Sequence, residues 1–212
     1  MFRKDESMKS PAMIQTHHVS NARPKVDIYY PIITQLDDSN MQRQLNQILF
    51  KEMNKLLIDN SYYEPSLVEL LATYEIKNNQ RGILSINLIV YSFTGGAHGM
   101  TVVKSLTLDT RTGRMYNLPD LFKPGSPYVQ HISEYVRRHI QQWKTPILEP
   151  FKQISPNQDF YIADTSLVVY FQLYEISPYA AGFPYFPIPL LDLQDFIKLG
   201  SPADRMMAFT GS

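Results

Sequence analysis

Cysteine is absent from the 212 residues. That excludes disulfides, thiolate nucleophiles and zinc sites with sulfur ligands. Net charge is absent too, since 20 Lys and Arg balance 20 Asp and Glu. A chain neutral overall is a poor candidate for gripping a phosphate backbone or an anionic bilayer by bulk charge, so no nucleic-acid partner is expected. No stretch approaches the roughly 20 apolar residues that cross a membrane. Met1 to Ser20 has no apolar central region of the kind a secretory leader carries. Taken literally, the missing leader implies a cytoplasmic interaction protein.

What is present is an apolar fraction of 44%, with 14 tyrosines and 15 prolines. The length suits one large or two small domains and a core that needs no staples. Tyrosine gives amphipathic contact area at low entropy cost, which suits a recognition surface, and it also suits strands.

Residues 1–23 show no periodicity and read as a flexible tail. Lys25 to Leu36 alternates as a strand, with Pro31 marking an edge or bulge. Asp37-Asp38-Ser39-Asn40 is a helix start, and Met41, Leu45, Ile48, Leu49, Met53 and Leu56 make an apolar stripe ending near Asn60. Val68 to Lys77, Ile83 to Phe93 and Thr101 to Asp109 read as an antiparallel meander. Leu84, Ile86, Leu88 and Val90 share one face of it. A turn is expected at residues 78–82. A short helical turn at Leu118 to Phe122 precedes a second amphipathic helix, whose stripe is Tyr128, Ile132, Tyr135, Val136, His139, Ile140 and Trp143. Phe160 to Ile162 and Ser166 to Ile176 are strands, and Ser177 to Pro189 is a stiff irregular loop. Leu190 to Leu199 is a short helix or strand, and residues 201–212 are a tail.

The order β-α-βββ then α-ββ predicts an α+β fold, with antiparallel sheets and two main amphipathic helices packed on one face. The expected domains are 24–115 and 116–200, the second packed on the first.

Thr94-Gly95-Gly96-Ala97-His98-Gly99 is a tight glycine loop carrying a single imidazole, a candidate general base or binding group. With no Ser-His-Asp signature beside it, His98 reads as structural or binding, and no catalytic residue is expected. Asp109 reads as a turn acceptor. Glu175 ends an apolar strand, where a carboxylate is either partly desolvated or bonded to its own loop, the second being favoured. His17 and His18 sit in the tail. His131 and His139 are two helical turns apart and make no metal pair, His139 reading as a packed residue. No metal or cofactor is expected. Tyr174, Tyr179, Phe183, Tyr185 and Phe186, stiffened by Pro178, Pro184, Pro187 and Pro189, form the strongest recognition surface or fold back as a second small core. Gly95, Gly96, His98 and Glu175 join them as binding candidates.

The glycine loop, Leu106-Thr107-Leu108-Asp109 with Thr112-Gly113, and Leu118-Pro119-Asp120-Leu121-Phe122 are followed by Phe160-Tyr161-Ile162. Then come Leu167-Val168-Val169-Tyr170-Phe171 and Tyr174-Glu175-Ile176-Ser177-Pro178-Tyr179-Ala180-Ala181-Gly182. Together these resemble the paired bacterial domains of unknown function that form the extracellular part of RsiV-type anti-sigma factors. The same kind of module precedes the catalytic domain of the peptidoglycan deacetylase PdaC. The likeness runs from about Pro24 to Gly200. It implies a non-catalytic sensing domain at a Gram-positive cell surface, monomeric or weakly dimeric, whose partner is a lysozyme-like protein or a peptidoglycan fragment. A wall-glycan hydrolase using His98 and Glu175, or a deacetylase-associated domain, is the competing expectation.

Overall fold

The computed structural model describes residues 11–207. They form two compact units that divide between Met115 and Tyr116. The first contains β1 (Met13–Asn21), β2 (Lys25–Thr34), α1 (Ser39–Asp59), β3 (Glu69–Gln80), β4 (Ile83–Phe93) and β5 (Met100–Asp109), with the two-residue β6 (Met115–Tyr116) at the division. The strands lie in sequential order in one sheet.

Three strand pairs are antiparallel, but β2 and β3 run parallel. The cause is α1. A hairpin reverses the chain, whereas a long helix carries it back to its starting edge. The α+β class holds, with a mixed sheet in this unit. Asp38 caps α1, its carboxylate accepting from the amides of Asn40 (2.8 Å) and Met41 (3.1 Å). The stripe of α1 packs on Leu84, Ile86, Leu88 and Val90, all fully buried. Each contributes about 1.5–3 kcal/mol.

The second unit holds a 3₁₀ turn (Leu118–Leu121), α2 (Tyr128–Trp143), β7 (Phe160–Ala163), β8 (Ser166–Tyr170), β9 (Tyr185–Pro189) and α3 (Pro202–Met207). β7, β8 and β9 form an antiparallel sheet in that order. Ile132, Val136 and Ile140 of α2 share a core with Ile162, Leu167, Val169, Phe186 and Ile188.

Several expectations are corrected. Residues 13–21 of the expected tail are β1, paired with β2 along its whole length. They carried no legible pattern because, apart from half-buried Ile14, every side chain of β1 is exposed. Residues 1–10 of that tail lie outside the described residues. The turn expected at 78–82 narrows to Arg81 and Gly82, at φ 54° and 71°. The strand expected to reach Ile176 stops at Tyr170, and β9 emerges from the expected loop. Pro187 and Pro189 obscured it. They are tolerated because β9 is an edge strand, where a missing N–H breaks no second ladder. Its exposed positions take Tyr185, Pro187 and Pro189, while Phe186 and Ile188 face the core. In the expected C-terminal tail, α3 buries Ala203 and Met206. Residues 208–212 lie outside the described residues. Pro31 sits where β2 has run past its last partner on β3, so one side of it is unpaired in the sheet.

Candidate functional site

The sequence candidates fall into two groups, one in each unit. Gly95, Gly96 and His98 occupy the β4–β5 loop of the first. Gly95 and Gly96 sit at φ 103° and 100°, a region that L side chains rarely adopt. Gly99 is required for another reason. A Cβ there would stand 2.4 Å from the Tyr91 ring and 2.6 Å from the Ser92 carbonyl oxygen. The His98 imidazole is exposed, with Nδ1 2.9 Å from the Gly99 carbonyl oxygen.

The carboxylates hold backbone. Asp109 Oδ1 accepts from the Arg111 amide at 2.8 Å, and Asp120 Oδ2 accepts from the Asn117 amide at 2.9 Å. His18, on β1, stacks on Tyr29 (4.3 Å between centroids) and lies 2.9 Å from Asp27 Oδ1. His17 lies 3.4 Å from the Tyr30 hydroxyl. Both histidines were expected in a mobile tail, and both stand on a paired strand. Among the described residues no cluster of three or more His, Asp or Glu is arranged to hold a metal ion.

The second group is assembled by the chain between β8 and β9. Glu175 is exposed. Its Oε2 accepts from the Gln172 amide (2.7 Å), and its own amide donates to the Gln172 carbonyl (3.1 Å). Gln158, which is buried, donates from Nε2 to Glu175 Oε1 (3.1 Å) and to the Tyr170 carbonyl (2.9 Å). This network locks a turn that places Tyr174 at φ 65°. A bulky residue in that region costs about 1–3 kcal/mol. The ring it displays is 46% exposed and lies 5.7 Å from that of Tyr179. Phe183 lies 6.2 Å from Tyr185, which is 37% exposed. Tyr185 also joins Tyr170 and Tyr161, at 5.5 and 6.3 Å.

Sequence reasoning missed the buried support of this surface at Gln158 and the exposure of Trp143. No local pattern marks Gln158 as a buried amide. Trp143 was assigned to the packed stripe of α2 but is 48% exposed, its ring parallel to Phe186 (5.8 Å, 5°). Phe186 was expected on the recognition surface and is instead a core residue, because alternation along β9 turns it inward. Tyr135, His139 and Trp143 form a ladder along α2, with rings 3.9 and 4.6 Å apart. His139 is half-buried in it, and its Nδ1 is 2.9 Å from the Tyr135 carbonyl oxygen. Burial and Asp192 raise the Tyr135 phenol above its ordinary range, Arg138 opposing them. The end of α2 and the start of β9 enclose a groove of about 310 Å³, with Trp143, Pro146, Ala181, Pro184 and Tyr185 along its walls.

Comparison with known proteins finds two matched segments, one within each unit. Residues 19–101 match the family model described as Deacetylase PdaC. Residues 119–190 match the one described as Protein of unknown function (DUF3298). Over 180 residues the chain is 27% identical to the anti-sigma-V factor RsiV of Bacillus subtilis (strain 168). That alignment covers 77% of this chain and 62% of RsiV, so the chain spans less than two thirds of that relative's length. A crystal structure of a DUF3298 family protein from Pseudomonas aeruginosa PAO1 has a TM-score of 0.66 at 17% identity, covering 90% of this chain and 96% of that one. A member of the same family from Bacteroides fragilis has a TM-score of 0.67 at 16% identity, covering 93% and 96%. At such identities the two structures speak for the fold. With one matched segment in each unit and a relative aligned across most of its length, the chain resembles the RsiV-type proteins in the way its glycine-loop and Tyr-Glu-Ile-Ser-Pro-Tyr motifs imply.

Proposed function

We propose that this chain is a non-catalytic recognition module that docks a macromolecular partner through the aromatic segment between β8 and β9. One observation carries the reading. Tyr174 is held at φ 65° with its ring 46% exposed. Glycine would take that backbone at no steric cost. A strained aromatic that displays its ring to water is the pattern expected where strain serves a site rather than the fold. Tyrosine anchors on a stiff segment also suit a binding hot spot, because little entropy is lost on docking. The carboxylate that a glycosidase mechanism would take from this segment, Glu175, is engaged in holding the turn.

The similarity to an anti-sigma factor supports a protein partner and a sensing role. A lysozyme-like protein, met at the cell surface, is the first candidate through the RsiV-type resemblance. Calorimetric titration with a c-type lysozyme tests this. Saturable binding is expected, weakened about tenfold or more in Tyr174→Gly and Tyr185→Ala. Unchanged affinity in both variants rejects the segment as the contact. Turnover of wall glycan by the purified chain overturns the non-catalytic reading.

A further inference from the structure

We infer that the groove between the end of α2 and the start of β9 is a saccharide subsite. The inference rests on the recognition reading above and names a ligand class for one part of that surface. The volume, about 310 Å³, is at the small end of ligand pockets. Its walls are of two kinds. Trp143 offers a flat indole, fixed parallel to the buried Phe186 ring and 48% exposed. Tyr185 adds a second exposed ring, and Pro146 and Pro184 stiffen the edges.

The rim is polar. Thr145 contributes a hydroxyl and Lys144 an ammonium. These two residues follow directly on α2, where their amides close the helix by donating to the carbonyls of Gln141 and Ile140. A ligand matching both kinds of wall needs a flat C–H face for the indole and several hydroxyl donors and acceptors around its edge. A pyranose ring has this combination. A purely apolar molecule leaves the rim unbonded, and a cation meets Lys144.

Trp143 is the chain's single tryptophan, so its fluorescence reports this groove directly. The probe is chitotetraose titrated to about 10 mM, a range that detects millimolar affinity. A saturable change in Trp143 emission is expected, lost in Tyr185→Ala and retained within about twofold in Tyr185→Phe, which keeps the ring. Ala181→Arg fills the groove from an exposed position and spares the fold, so it also abolishes the response. No saturable change in the wild type overturns the inference, as does a response that survives Ala181→Arg. A response to a proline-rich peptide with none to the sugar overturns it in favour of a peptide groove. Lysozyme titrated in parallel separates the two ideas. Binding of lysozyme without sugar removes the subsite and leaves the recognition module. Binding of sugar without lysozyme keeps the subsite and removes the lysozyme-like partner. Loss of both removes both.

Discussion

The loop at residues 94–99 and the segment at 171–184 are both sharp returns between strands, and they are built in opposite ways. The first uses glycine wherever the backbone is unusual, at Gly95 and Gly96 for positive φ and at Gly99 for the close approach of Tyr91. Nothing in it is strained. The second puts tyrosine at positive φ and spends a buried Gln158 and the Glu175 carboxylate on holding it there. A glycine loop of the first kind is explained by the fold. A tyrosine turn of the second kind is not, and the proposal of a recognition surface on the second unit rests on that difference.

The buried anchor of the second segment is Phe186. Phe186→Ala removes a fully buried ring that packs on Trp143 and Phe171. A loss of about 3–5 kcal/mol is expected, read by urea unfolding followed at Trp143. Gly99→Ala drives a methyl into the Tyr91 ring and the Ser92 carbonyl and costs about 1–3 kcal/mol. Hydrogen exchange in β4 and β5 shows it as faster amides, while lysozyme affinity stays unchanged. Lys144 caps α2 at φ 53°, so Lys144→Gly should stabilise by about 0.5–1 kcal/mol in the same unfolding assay.

The smallest effect is on pH dependence. Burial raises the phenols of Tyr128 and Tyr135 above their ordinary value of 10.0 in the folded state. The unfolded chain therefore loses these protons first, and stability present below about pH 10 declines as pH rises further. Tyr135→Phe should flatten that alkaline decline in unfolding curves taken at several pH values. An unchanged slope would remove Tyr135 from the account.

Much of the fold was legible because it obeys periodic rules. α1 announced itself through Asp38 and a three-and-four stripe, and β4 through the apolar face of Leu84, Ile86, Leu88 and Val90. β1 was illegible because an exposed edge strand held by backbone bonds needs no apolar pattern. β9 was hidden by prolines that an edge position tolerates. The parallel pairing of β2 and β3 is a consequence of tertiary return, which no local pattern encodes. For the site, the aromatic residues were readable from composition and clustering. The features that turn them into a surface were not. The positive φ of Tyr174, the bonds of Gln158 and the exposure of Trp143 depend on how distant segments meet.

The most direct measurement substitutes Tyr174 by glycine and reads stability and lysozyme affinity on the same sample, with His98→Ala beside it. The account predicts that Tyr174→Gly unfolds no more easily than the wild type, gaining up to about 1 kcal/mol as strain is released, while its affinity drops about tenfold or more. His98→Ala should bind within about twofold of the wild type. A Tyr174→Gly protein that binds as tightly as the wild type, with His98→Ala carrying the loss, would contradict it.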